Sequence, residues 1–469
     1  MTRWTEDEVL AALRLAVPSG SDAAGGRAGS YSSVGTDTRT IEPGALFVAL
    51  RGENFDGHTF LSQAAEKGAA GAVVDSVPDG APPLRYYTVP DTLGALGRMA
   101  SHRRREVGAR VAAITGTNGK TTTKEMARAI LSTRYRTHAT SGNLNNLIGA
   151  PLTLLDIPED AEVIVVEIGT NAPGEIARLS AVVEPDVGIV TAVAEGHLEG
   201  FGTVEGVLRE KTTLLSRLRP GGVAIVADEP ASLPERARSL ARRVRVGGWS
   251  DRADADLRAE SLRLDEAGRV VFTWNGREVT LPFGGKAHAR NALLALALGQ
   301  EWGVEVDGAV AALEKLPAPS MRGEVHRFGE LVVIADCYNA NPASLAAAVD
   351  TLTAMPRRGG RVAVVGSMLE LGPTSRTLHE ESARRLAASE LDLVVGTGMF
   401  VEAFRPLVSG MGDRLVLAED ADAAWEPLSE RLDGGEVVLL KGSRGVALER
   451  LMPRLRERFG EASHDRSGS

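Results

Sequence analysis

The 469 residues predict an α/β protein of three domains, and three observations carry that expectation. The chain is longer than one hydrophobic core usually serves. Short apolar runs alternate with helix-patterned segments along most of it, as they do where a parallel sheet is covered by helices. One stretch, VAAITGTNGKTTTKEMARAI from Val111 to Ile130, reads as a buried strand, a glycine loop and a helix start. The expected boundaries are 1–105 for a small N-terminal α/β domain, 106–316 for a central domain with a mainly parallel sheet, and 317–455 for a Rossmann-like C-terminal domain. A disordered polar tail is expected over 456–469.

The first domain opens on TEDEVLAAL, where Thr5 precedes acidic residues and apolar residues recur at helical spacing. ALFVAL and AGAVVD read as strands, with HTFLSQAAEKGA as the helix between them. Before them stand Asp37, Thr38 and Arg39. An arginine there can pair with a diphosphate, whose oxygens match the guanidinium fork, or it can make a surface salt bridge.

The central domain contains the glycine loop. Gly116 and Gly119 lack side chains, so backbone amides can approach an anion closely. Lys120 can reach terminal phosphates and the Thr121 hydroxyl can ligate Mg²⁺. The loop opens a helix, whose N-terminus favours phosphate. Thr115, Gly116, Thr117, Asn118, Gly119, Lys120, Thr121 and Thr122 are therefore the candidate phosphate-binding residues. Ile114 stands where the strict phosphate-loop pattern has a glycine.

Candidate strands are 111–115, 162–168, 187–191 and 223–227. The second ends on Glu167, a carboxylate at the end of a strand where such sheets bind ligands and where Mg²⁺ would find an oxygen donor. His197 follows the third, where a structural histidine and a site residue weigh equally. Lys211 lies on a helical pattern beyond it. Asn291 opens an apolar helix, where it can cap the helix or contact an adenine edge.

After the proline-punctuated PAPSMRGEVH, five apolar runs are expected as strands: 331–336, 361–366, 391–396, 414–419 and 436–442. Polar groups gather after three of them: Asp336 to Asn341, Ser367 to Gly372, and Lys441 to Arg444. Three clusters at one sheet edge predict a binding face.

A 43% hydrophobic and 25% charged composition with net charge −9 is that of a globular chain without a basic nucleic-acid surface, so no nucleic-acid partner is expected. The run Arg103 to Arg105 is read as a solvated helix face. The single cysteine, Cys337, excludes an internal disulfide and fits a reducing compartment. No window of 18 apolar residues and no signal-peptide core occur in the sequence, so no membrane span and a cytoplasmic location are expected.

Together TGTNGKTTTK, EIG with its polar loop, GHLEGFG, RNALLALA and KGSR resemble the Mur ligases, ATP-dependent amide-forming enzymes of peptidoglycan synthesis, over nearly the whole chain. SGNLNNLIGAPLTLL, DCYNANPASLAAAVD, GSMLELG and KGSRGVALE resemble the type that adds D-alanyl-D-alanine to UDP-N-acetylmuramoyl-tripeptide. The resemblance implies a UDP-substrate domain, an ATPase domain and a closing domain; a monomer is the separate expectation for its assembly. It implies ATP and Mg²⁺, in two ions, as cofactors. Glu167, His197, Thr121 and Lys211 would hold metal, with Lys211 as a carbamate, and Lys120, His197 and Lys211 would be catalytic. Asn291 would contact adenine rather than cap its helix. Arg322, Asp336 and Asn339 would contact nucleotide from the closing domain, with Tyr338 and Asn341 nearby. Thr38 and Arg39 would meet the uridine nucleotide, and Asn143 and Asn146 the peptide substrate. Ser367 stands where the motif has Asp, Ala335 replaces a frequent acid, and the usual histidine of GxHNxxNA falls on Ala287 with His288 beside it. A sister ligase adding another amino acid, a folylpolyglutamate synthetase, a nucleotide-gated binding protein and a phosphate-loop kinase are the alternatives.

Overall fold

The computed structural model describes residues 4–16, 29–52, 55–265, 268–355 and 359–460. Three parallel or mainly parallel sheets follow one another along the chain. The first has four parallel strands in the order Val34–Gly35, Leu46–Val48, Gly71–Val74 and Arg85–Thr88. The helix Glu6–Leu13 beside it is fixed by a capping box, in which Thr5 and Glu8 exchange hydrogen bonds. The helix expected over HTFLSQAAEKGA is shorter, running Leu61–Glu66 after a 3₁₀ turn at Gly57–Phe60.

The helix Thr92–Val107 joins this region to the next, started by the Asp91 carboxylate on Gly94 N and stopped by Gly108 in the left-handed conformation. Of its arginines, Arg105 lies on the exposed face expected from sequence, paired with Glu184, but Arg103 and Arg104 do not. Arg103 donates to Ile157 O at 2.7 Å, and buried Arg104 donates to Val183 O and Glu184 O, both at 3.1 Å. Arg104 thereby satisfies carbonyls at the end of the helix Glu175–Val183, which have no partner inside that helix. One continuous apolar core runs from Trp4 to Leu316, so the first and central regions share an interior.

The central sheet has six parallel strands, in the order Arg243–Gly247, Val223–Ala227, Val187–Val190, Arg110–Thr115, Val163–Glu167 and Thr137–Ala139. Arg110–Thr115 is first in sequence and lies in the middle. From it the chain passes to the edge strand Thr137–Ala139, returns to Val163–Glu167 beside it, and then crosses to Val187–Val190 on its other side, so the crevice at its carboxyl end is a topological switch point. Ile114 is in register with Glu167, and Thr115 with Val190, which brings three strand ends together. A separate antiparallel sheet of Glu260–Leu264, Val270–Trp274 and Arg277–Thr280 precedes the helix Ala287–Glu301.

The last sheet runs Glu324–Phe328, Leu331–Asp336, Val437–Lys441, Arg361–Val365, Leu393–Thr397 and Leu415–Ala418, all parallel except the first. Separate apolar clusters cover its two faces. Asp336, Lys441 and Val365 end adjacent strands, so the three polar clusters seen in the sequence share one edge. The chain stays helical over Leu451–Phe459, so the disorder expected from 456 does not begin there; 461–469 lie outside the described residues. Among the described residues no helix is long and apolar enough to cross a membrane.

Candidate active site

The site grows from the loop between the strand Arg110–Thr115 and the helix Lys120–Ser132. Gly119 sits at φ 85°, and a Cβ there would collide with the Asn291 carboxamide. A Cβ on Gly116 would collide with Thr191 Oγ1. Both positions thus exclude a side chain for reasons of space as well as conformation. The loop is tied to the neighbouring strand end, since Thr191 Oγ1 donates to Asn118 O at 2.6 Å and Thr117 N donates to Ala192 O at 2.8 Å. Lys120 folds over the loop, its Nζ donating to Gly116 O at 3.0 Å and Thr117 O at 3.4 Å. Desolvation pushes the Lys120 pKa down; Glu167 and Glu370 pull it up and Arg322 lowers it further. Those three side chains come from two domains, which places Lys120 where they meet. Thr121 and Thr122 form the first turn of the helix, with Thr122 buried.

Beside the loop, Glu167 is 1% exposed. Its backbone N–H donates to Thr140 Oγ1 at 2.9 Å, and its Oε1 accepts from Asn145 Nδ2 at 2.8 Å. Its Oε2 is buried without a partner. Lys211, also 1% exposed, has an unpartnered Nζ, and burial, followed by the charge of Lys120, holds its pKa well below the ordinary value. A buried carboxylate oxygen and a buried amine, both unsatisfied, are costly unless a ligand completes them. Glu167 can accept a cation, and Lys211 as a neutral amine can add carbon dioxide to become an oxygen donor. Among the described residues no three His, Cys, Asp or Glu side chains converge as a metal cage. Mg²⁺ does not need one, because it is commonly held by one or two carboxylates with phosphate oxygens and water. The donor set fits that ion.

The third domain meets this site directly. Asn341 Nδ2 donates to Asn118 Oδ1 at 2.8 Å, and Asn118 Nδ2 donates back at 3.3 Å. His197 Nδ1 lies 2.9 Å from Glu370 Oε2, and this hydrogen bond lowers the Glu370 pKa. Arg322 stacks over Tyr338 with its guanidinium 3.9 Å from the ring centre. Asp336 lies 3.0 Å from buried Lys441, whose Nζ also donates to Asn339 O at 2.6 Å. Burial raises the Asp336 pKa against the pull of Lys441. Asn291 is buried in the fifth position of its helix, whose N-cap is Lys286, so the capping role considered from sequence is not the one it has.

The uridine and peptide candidates stand apart from these contacts. Arg39 is exposed and paired in two-pronged fashion with Asp37, while Thr38 Oγ1 donates to Gln63 Oε1 at 2.5 Å. Asn143 is exposed, and Asn146 Oδ1 accepts from Ile148 N and Gly149 N at the start of the helix Gly149–Leu155. Sequence reasoning passed over Asn145, whose polar neighbours Asn143 and Asn146 look the same in a string. It also left Glu370 without a role, because nothing local says which strand end it will face.

Family models match the chain over most of its length: the Mur ligase family catalytic domain at 30–104, the Mur ligase middle domain at 114–299, and the Mur ligase glutamate ligase domain at 321–444. The UDP-N-acetylmuramoyl-tripeptide–D-alanyl-D-alanine ligase of Bacillus subtilis is 37% identical over 434 residues, covering 90% of this chain and 93% of its own. The chain belongs to the Mur ligase family. Among solved structures of the family, MurF from Acinetobacter baumannii superposes with a TM-score of 0.86 at 31% identity, covering 97% of this chain and 99% of its own. MurF ligase from Thermotoga maritima in complex with ADP gives 0.81 at 26% identity, covering 92% and 98%. This Mur ligase thus shares with them the three-domain α/β architecture described above.

Proposed function

We propose that this Mur ligase joins D-alanyl-D-alanine to UDP-N-acetylmuramoyl-tripeptide, converting ATP to ADP and phosphate. The observation that carries the reading is the junction at the phosphate loop, where Asn118 bonds Asn341 and His197 meets Glu370, both from the next domain, beside the unsatisfied Glu167 and Lys211. A carboxylate and an amine do not condense in water, because hydroxide is a poor leaving group. ATP supplies a better one. A carboxylate oxygen of the tripeptide attacks the γ-phosphorus, forming an O–P bond as the bond to the β-γ bridging oxygen breaks and ADP leaves. The dipeptide amine then attacks the acyl carbon. The C–N bond forms, the amine gives up its proton to solvent, and phosphate departs with the former carboxylate oxygen.

This scheme needs no protein nucleophile; it needs positioning and charge neutralisation. The loop amides and Lys120 hold the phosphates. Asn291 lies against Gly119 and is suited to the adenine side. Arg322, Asp336 and Asn339 bind nucleotide from the closing domain. Thr38 and Arg39 bind the uridine nucleotide, and Asn143 and Asn146 the peptide. Thr121, Glu167, His197 and Lys211, the last as a carbamate, would hold Mg²⁺, which would supply charge compensation for the phosphoryl oxygens. Closure excludes water from an acyl phosphate that it would hydrolyse. The test is phosphate release with UDP-N-acetylmuramoyl-tripeptide and a panel of amines. D-Alanyl-D-alanine is expected to give the signal; a signal with a free amino acid and none with the dipeptide would overturn the reading.

A further inference from the structure

Glu370 sits at the tip of a loop that is unusually well fixed. Ser367 Oγ accepts from Met399 N at 2.9 Å. Met368 N donates to His379 Nε2 at 2.9 Å, and His379 is itself fully buried and held through Nδ1 by Ser375 O at 2.7 Å. Leu369 N donates to Ser443 Oγ at 3.0 Å. The next residue, Glu370, adopts φ 64°, which costs a non-glycine residue energy and persists only where the surroundings impose it. Gly372, at φ 55°, allows the loop to close on the turn after His197: a Cβ there would lie 2.9 Å from Glu199 Cα. The whole loop is therefore shaped to bring one carboxylate to His197.

The contact uses Nδ1 of His197. A carboxylate only accepts hydrogen bonds, so a proton on Nδ1 faces Glu370, and in that tautomer Nε2 is the ring nitrogen free to donate an electron pair to a cation. No protein group engages Nε2 among the described residues. Histidines that bind metals are characteristically oriented in this way, by a carboxylate on the other ring nitrogen. We propose that Glu370 is a positioning residue of the metal site, brought in by the closing domain to set the tautomer of His197 and present its Nε2 to the cation. This rests on the proposed assignment of His197 as a metal ligand. Because the carboxylate and the histidine belong to different domains, closure tightens metal binding, and by reciprocity metal binding favours closure.

The test uses the full-length chain with a non-hydrolysable ATP analogue and Mn²⁺ as the probe, its binding read by electron paramagnetic resonance. Glu370→Ala is expected to weaken Mn²⁺ binding by about 10- to 100-fold. Glu370→Gln keeps an acceptor oxygen and is expected to restore most of the affinity. In parallel, ¹⁵N spectra of histidine-labelled protein, with His197→Ala for assignment, are expected to show the Nδ1–H tautomer in the unsubstituted chain and its loss in Glu370→Ala. Unchanged Mn²⁺ affinity in Glu370→Ala, or an Nε2–H tautomer in the unsubstituted chain, would overturn the proposal. Neither readout depends on which amine is ligated. Failure here therefore leaves the acceptor assignment standing, and failure of the acceptor panel leaves this one standing.

Discussion

His288 shows how a single side chain carries information that its sequence position does not. It stands one place from where the family motif has a histidine, and its ring packs edge-to-face on Phe283 at 4.9 Å between centroids. Nδ1 is buried without a partner. Burial, with the charge of Arg322, lowers its pKa to about 4. The sign of the consequence is definite. As pH falls below the ordinary value of 6.5, the unfolded chain takes up a proton that folded His288 refuses until about pH 4. Its contribution to stability is full above pH 6.5 and is lost progressively between 6.5 and 4. His288→Phe is expected to remove that part of the pH dependence, about 1–3 kcal/mol in urea melts at pH 4.5 relative to pH 7.5. Identical pH slopes for the two proteins would show that the ring titrates normally. Lys211 was legible as a site candidate by position alone; that its amine is sealed and unpartnered needed the fold.

At the scale of elements, what the sequence revealed follows from burial. Arg110–Thr115, Val163–Glu167, Val223–Ala227 and Leu331–Asp336 are interior strands covered on both faces, so each is a continuous apolar run. Thr137–Ala139, Arg243–Gly247 and Glu324–Phe328 were not anticipated. They lie at sheet edges, where THA, RVRVG and EVHRF mix polar with apolar residues. The polar clusters after the strands of the third domain were visible in sequence, but their pairing was not. Asn341 illustrates the difference. It caps the helix Pro342–Ala354 through a reciprocal box with Ser344, and the same carboxamide bonds Asn118 across the cleft. Asn341→Ala is expected to lower stability by about 1 kcal/mol through the lost cap, measured by urea denaturation. Asn341→Asp, which still caps, is expected to recover it. Equal stability of all three proteins would mean that the cap contributes nothing.

For the whole molecule, the phosphate loop supplies only part of a site. It lies at the switch point of the central sheet, and the sheet edge of the third domain faces it through Asn341 and Glu370. The first region shares a core with the central one, whereas the third keeps its own cores on both faces of its sheet. That division suits a domain that moves against the other two. The resemblance in sequence gave the order of the landmarks; the contacts that join them lie 173 or 223 residues apart in the chain and could only be seen folded. The central claim is that ATP activates the substrate carboxylate as an acyl phosphate, and it is tested most directly by following an oxygen atom. UDP-N-acetylmuramoyl-tripeptide labelled with ¹⁸O in the reacting carboxylate is incubated with ATP and D-alanyl-D-alanine, and the released phosphate is analysed by mass spectrometry. One ¹⁸O per phosphate is predicted. Unlabelled phosphate, its new oxygen drawn from water, would contradict the account.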